Sequence, residues 1–159
     1  MAQESITGFY EQDHARLDAL FQEFLANKRS NPEATEAAYR QFAAGLTRHI
    51  LWEEQLLFPP FEAKTGMSGM GPTAVMRMEH RQIIQLLEAI RHKLERRDLA
   101  KDTEEAALVA LLGAHNLKEE QILYPLMDEH LSDEERRGIF AKMDQITEDS
   151  QTPCDGLSI

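Results

Sequence analysis

Apolar residues recur along this chain at steps of three and four. In the first segment Tyr10, Leu17, Phe21 and Phe24 share a stripe with His14, the spacing of one helix face, which predicts a helix over 8–29. Asn31 and Pro32 open the next segment, with the asparagine as N-cap and the proline at the first helical position. Its stripe is Phe42, Leu46, His49, Glu53, Leu56 and Leu57, and Pro59-Pro60 disturbs its end, giving a helix over 32–62. KTGMSGMGP carries three glycines and reads as a loop. Pro72 opens a third helix, 72–97, with Met76, His80, Ile83, Leu87, Ile90 and Leu94 in line. Asp102 and Glu105 stand at capping-box spacing before a fourth, 103–129. Its stripe is Leu108, Leu111, Leu112, His115, Glu119, Ile122 and Leu126, with a kink predicted at Pro125. Ser132 and Glu135 cap a short fifth helix, 133–146.

No segment alternates with strand period, and valine occurs only at 75 and 109. Short connections make consecutive helices antiparallel neighbours. The expected fold is all-α: an up-down-up-down four-helix bundle over 1–147, with a short fifth C-terminal helix. The polar stretch 148–159 is expected to be a flexible tail.

The chain repeats itself at an offset of 66 residues, with HILWEEQLLFP from His49 lying over HNLKEEQILYP from His115. The same offset sets Asp13-His14 over Glu79-His80, Leu17 over Ile83 and Leu46 over Leu112. Each half is therefore one helical hairpin, with a lone histidine on its first helix and H-x-x-x-E on its second.

Residues i and i+4 of a helix lie on one face, one turn apart. His49 with Glu53, and His115 with Glu119, can thus aim two donors at one point, and in both pairs that face is the apolar stripe. His14 and His80 also occupy stripe positions. Counting helix rise out and back at about 1.5 Å per residue brings all six to one level, within about a turn. Burying carboxylates among apolar side chains is costly unless they are paired or bind a metal, and no lysine or arginine sits on these stripes at that level. Four imidazoles and two carboxylates exceed one tetrahedral zinc. They suit two octahedral ions: iron first, with manganese and zinc as alternatives. If both glutamates bridge, the protein fills about eight of twelve positions and an oxo or hydroxo bridge about two. About two remain for water, oxygen, peroxide or nitric oxide.

Other residues read more plainly. His92 and His130 fall far along the axis and read as surface residues. Glu54 and Glu120 turn about 100° away from the ligands they follow; they read as solvated or as outer carboxylates, with Glu120 a fallback for Glu119. Tyr10, one turn before His14, borders the metals or simply packs. Trp52, Phe42 and Phe58 read as core, and Cys154 has no partner motif.

Charge narrows the function classes. There are 28 acidic residues against 17 lysines and arginines, a formal net charge of -11. This balance argues against nucleic acid and against an anionic membrane surface. No apolar run approaches a membrane span, and the start lacks the basic and apolar regions of a signal peptide. One cysteine makes no intrachain disulfide, so a reducing, cytoplasmic setting is expected.

The motifs DH at Asp13-His14, HILWEEQLLFP, MEH at Met78–His80 and HNLKEEQILYP together resemble the hemerythrin-like (HHE cation-binding) domain. Within that family the chain is most similar to the iron-centre repair proteins linked to nitrosative and oxidative stress, and GPTAVMRMEH carries the likeness further. The resemblance implies a non-haem di-iron site in a four-helix bundle. It makes His14, His49, His80 and His115 terminal ligands and Glu53 and Glu119 bridging ones. It also implies an iron-sulfur protein as a partner, besides the diatomic ligand. Oxygen-carrying hemerythrins have a further histidine one turn from the first on the third helix; here those positions are Met76 and Ile84. The expected iron is thus more open than in a carrier. Many repair proteins also have an N-terminal module with a cysteine pair, which this chain is expected to lack.

The leading expectation is a non-enzymatic di-iron protein that binds nitric oxide or oxygen, or handles iron, in a stress response. The alternative is a di-iron peroxidase, oxidase or nitric oxide reductase. A metal-free interaction bundle is the third reading.

Overall fold

The computed structural model describes residues 4–148, and all regular structure among them is helical. α1 is Ile6–Asn27. α2 covers 32–65 as three continuous stretches, Pro32–Leu51, Trp52–Leu57 and Phe58–Thr65. α3 is Pro72–Glu95. α4 covers 103–130 as Thr103–Lys118, Glu119–Leu123 and Tyr124–His130. α5 is Asp133–Met143. The helices form a bundle in which α1 packs along α2 and α3 along α4, one hairpin from each half of the repeat. α1 also meets the last stretch of α4, and α5 packs on the middle of α2. No helix among the described residues is long and apolar enough to cross a membrane. Cys154 and the expected tail beyond Glu148 lie outside the described residues.

Helix starts follow local chemistry. Asn31 Oδ1 accepts the Ala34 amide at 3.1 Å, with Pro32 behind it. Ser132 and Glu135 close the expected capping box of α5. α1 begins two residues earlier than its stripe suggests. Ser5 Oγ accepts the Gly8 amide at 2.9 Å, and the Asp128 carboxylate takes the Ile6 and Thr7 amides at 2.7 and 3.0 Å. The capping box expected at Asp102 and Glu105 does not form. Lysines claim both carboxylates instead: Lys28 Nζ lies 2.7 Å from each, and Lys93 Nζ 2.9 Å from Glu105.

The prolines do not end their helices. The Phe58 amide donates to the Glu53 carbonyl and the Tyr124 amide to the Glu119 carbonyl, five residues back instead of four. Each helix thus widens for about a turn into π geometry, and Pro59 or Pro125, which brings no amide hydrogen, follows in the first turn of the next α stretch. Widening inserts one residue and rotates everything after it by about 100°. Ile122, expected inside, is 56% exposed, while Leu123, Tyr124 and Met127 are buried. In α2 the inward residues become Leu57, Phe58 and Phe61.

The core divides into two apolar layers. One gathers Leu17, Phe21, Phe24, Phe42, Leu46 and Ile83 with their neighbours. The other gathers Tyr10, Trp52, Phe58, Met76, Tyr124 and Met127. The histidines of the repeat lie between these layers along each helix, as His14 does between Tyr10 and Leu17. Both wide turns begin at this level, at Trp52 and Glu119.

Candidate metal centre

All six residues expected to bind metal are buried and converge on one volume. His14, His49, His80 and His115 are 4, 2, 1 and 3% exposed, and Glu53 and Glu119 are wholly buried. The Nε2 atoms face inward. His14 Nε2 lies 3.2 Å from His49 Nε2 and 3.2 Å from Glu119 Oε2. His115 Nε2 lies 2.9 Å from Glu119 Oε1, and His80 Nε2 3.1 Å from Glu53 Oε2. Donor atoms fall into two groups, each within 4.8 Å: Glu53, His80, His115 and Glu119, and His14, His49 and Glu119. Glu119 belongs to both. Glu53 Oε2 also lies 3.7 Å from His49 Nε2, which places it beside the second group as well.

The outer nitrogens are held just as uniformly. His49 Nδ1 meets Asp13 at 2.8 Å; His115 Nδ1 meets Glu79, His80 Nδ1 meets Glu54 and His14 Nδ1 meets Glu120, each at 2.7 Å. A carboxylate on Nδ1 fixes the tautomer with the proton there and leaves the Nε2 lone pair inward, the arrangement metal-ligating histidines adopt. Glu54 and Glu120 are therefore outer carboxylates. Asp13 and Glu79 perform the same task from α1 and α3 and were not singled out from sequence. The signal existed: both acids repeat in register with the histidines they precede.

Tyr124 was also missed. Its hydroxyl lies 2.6 Å from Glu53 Oε1 and 2.8 Å from Glu119 Oε2. It has one proton to give, so it donates to one carboxylate at a time. The wide turn is what swings it inward. Tyr10 stacks on Tyr124 with centroids 4.7 Å apart and meets the His49 ring edge-on at 5.0 Å. Its role is packing against the centre. His92 is exposed, and His130 turns to the Leu126 carbonyl on the surface.

The electrostatics are those of a strongly polar layer between apolar ones. Burial opposes charge on His14, but its hydrogen bonds and proximity to Glu119 and Glu120 outweigh that and raise it to about 9. Burial likewise opposes charge on His80, yet Glu53 and Glu54 raise it to about 9. His115 is raised as well, against burial, by Glu119. Burial pushes the Glu119 carboxyl up, but His115, His14 and His49 hold it well below the usual range. Burial acts on Asp13 in the same direction, and His49 and Arg16 bring it down to about 2. Burial first, then Glu53 and Glu119, keep both buried phenols protonated.

These residues fit metal ions. The approaches of Glu53 Oε2 to His80 Nε2 and of Glu119 Oε1 to His115 Nε2 lack hydrogen-bond geometry, which leaves Glu53 Oε2, His80 Nε2 and Glu119 Oε1 buried without a hydrogen-bond partner, a costly state that cations would relieve. Imidazole and carboxylate donors together suit iron, manganese or zinc.

Comparison with known proteins finds a cation-binding family. The hemerythrin HHE cation-binding domain family matches residues 5–127. A stretch of 67 residues is 37% identical to the iron-sulfur cluster repair protein YtfE of Escherichia coli (strain K12 / DH10B), covering 42% of this chain and 30% of that protein. The YtfE of Shigella boydii serotype 18 matches to the same extent. The match thus spans under a third of the length of these relatives. No solved structure matches. With its inward histidines and glutamates and its helical bundle lying across the matched range, the chain belongs to the hemerythrin HHE cation-binding domain family.

Proposed function

We propose that this chain is a non-haem di-iron protein that binds nitric oxide or oxygen, or handles iron, in a nitrosative or oxidative stress response. His14, His49, His80 and His115 are its terminal ligands, and Glu53 and Glu119 its bridges, in an up-down-up-down bundle. The observation that carries this reading is the pair of donor groups sharing Glu119, with orphaned donor atoms at their centre. When bound, an iron pair supplies open coordination positions and one-electron redox chemistry.

The protein's own residues do the rest. Asp13, Glu54, Glu79 and Glu120 orient the imidazoles from outside, and Tyr124 holds one proton against the two glutamates. The apolar layers above and below limit bulk water while admitting a diatomic gas. Met76 and Ile84 stand where an oxygen carrier has its additional histidine. The relatives' name, iron-sulfur cluster repair protein, supports a stress role, with an iron-sulfur protein as the partner.

Two tests follow. Nitric oxide added anaerobically to the diferrous protein should change its visible spectrum, whereas air should oxidise the protein without reversible oxygen uptake. Stable oxygen uptake and release over repeated cycles would restore the carrier reading. Metal loading at pH 7 should also release about two protons or more per chain, because metal-ligating imidazoles must be neutral and His14 and His80 are held at about 9. A pH-stat that records no release during loading counts against these ligands.

The buried phenol of Tyr124 favours one further reading, a peroxidase, oxidase or nitric oxide reductase, since it offers a proton 2.6 Å from Glu53. Turnover with peroxide or nitric oxide that falls in Tyr124→Phe would establish it; absence of turnover leaves the binding function.

A further inference from the structure

Four carboxylates hold the outer nitrogens of the histidines, and three of them are themselves held by a cation. Arg16 Nε meets Asp13 at 3.0 Å, Lys118 meets Glu79, and Arg77 lies 3.6 Å from Glu54. Glu120 has no such cation among the described residues, and its side chain is 30% exposed. It lines a cleft of about 470 Å³ between α1 and α4, together with Asp18, Phe21, Leu112 and Gly113. Asp18 lies one turn past His14 on α1. At Gly113 a Cβ would meet nothing within 4 Å, so the missing side chain leaves that wall open.

We propose that this cleft is the route by which a divalent cation reaches the centre, captured by Asp18 and Glu120 and passed inward as Glu120 releases the His14 ring. The proposal rests on the metal reading of the site. A groove with carboxylates between low-dielectric walls concentrates cations and speeds their capture. Of the residues lining the cleft, Glu120 is the one that touches the centre, through His14 Nδ1 at 2.7 Å; behind that ring lies Glu119, with Oε2 3.2 Å from His14 Nε2 and Oε1 among the orphaned donors that give the ion a destination. Moving Asp13, Glu79 or Glu54 would break contacts with a histidine and with a lysine or arginine, whereas moving Glu120 breaks its contact with His14 alone. Glu120 also sits in the widened turn of α4, where the backbone ladder is already loosened. His14 is thus the ligand whose support yields most readily.

The test follows cobalt(II) uptake by the metal-free full chain, read by stopped-flow visible absorbance. Asp18→Asn removes a capture charge without touching a ligand, and Gly113→Leu fills the cleft without a backbone clash. Each should slow uptake about tenfold while the final cobalt content equals that of the unaltered chain. Glu36→Gln, a remote charge with a 68% exposed side chain, should leave the rate unchanged. Rates within about twofold of the unaltered chain in both cleft variants would overturn the route, as would equal slowing by Glu36→Gln. Those results, alongside full uptake, leave the metal centre standing; failure of the unaltered chain to take up cobalt removes both.

Discussion

Replacing Glu119 by alanine is expected to empty the centre, taking the metal content from about two ions per chain to well under one. Glu119 is the one residue common to both donor groups. It approaches His14 and His115 to 3.2 and 2.9 Å with separate oxygens, so its loss removes a donor from each group and the charge between them. Its loss would also leave the remaining imidazoles without the anion that offsets metal charge. Glu119→Gln should fail similarly, because the amide keeps the volume but lacks the charge and one oxygen acceptor. Glu53→Ala should match it, given that Glu53 Oε2 faces both His80 and His49. His92→Ala and His130→Ala alter only surface rings and should keep the full content. Elemental analysis of each purified variant decides the matter; normal metal in Glu119→Ala beside loss in His92→Ala would overturn the ligand assignment.

The largest effect on stability is expected far from the candidate metal centre. At the end of α1, roughly 21 Å along the axis from His14, Lys28, Lys93 and Glu105 are 2, 5 and 1% exposed. Lys28 Nζ donates to the Lys101 carbonyl at 3.0 Å, to Asp102 at 2.7 Å and to Glu105 at 2.7 Å. Lys93 Nζ donates to the same carbonyl and to Glu104, both at 2.8 Å, and to Glu105 at 2.9 Å. One buried carboxylate therefore ties α1, α3 and α4 together. Glu105→Ala leaves two buried ammonium groups short of their shared counter-charge. Breaking a buried pair from one side costs about 3–5 kcal/mol, on the order of 10 °C in Tm for a chain of this size. The triple variant Lys28→Met/Lys93→Met/Glu105→Leu should recover most of the loss, since an apolar replacement of similar shape removes the stranded charges. Thermal unfolding of the metal-free forms tests both. A Tm for Glu105→Ala within about 2 °C of the parent would show that the cluster holds nothing together.

Particular residues show why the centre was more legible in the sequence than its surroundings. The inward histidines and glutamates stand on apolar stripes and recur in register across the halves, so periodicity and repeat point to the same face. Asp13 and Glu79 belong to the same register. Each acts across a helix pair on the ring of His49 or His115, however, a partnership that spacing within one helix does not express. Tyr124 was hidden by the wide turn: a uniform helix period sends Ile122 inward, and only one inserted residue brings the phenol to Glu53. The lysine cluster has no counterpart in the repeat. Lys28, Lys93 and Glu105 align with Leu94, Asn27 and Tyr39, so each half closes this end differently. The charge cluster joins Lys28 of the first half to Lys93 and Glu105 of the second, and the Tyr39 hydroxyl of the first half donates to the Leu87 carbonyl of the second. The acidic capping pattern at Asp102 and Glu105 is locally sound, but tertiary lysines compete successfully for both carboxylates.

The central claim, two ions bridged by Glu53 and Glu119, is tested most directly by X-ray absorption at the iron edge of the protein purified from iron-replete cells. Two bridged ions give a nitrogen and oxygen coordination shell with imidazole scattering and a second iron at about 3.5 Å. A shell of the same light donors with no iron neighbour at that distance would mean separate or single ions, and would contradict the bridged centre.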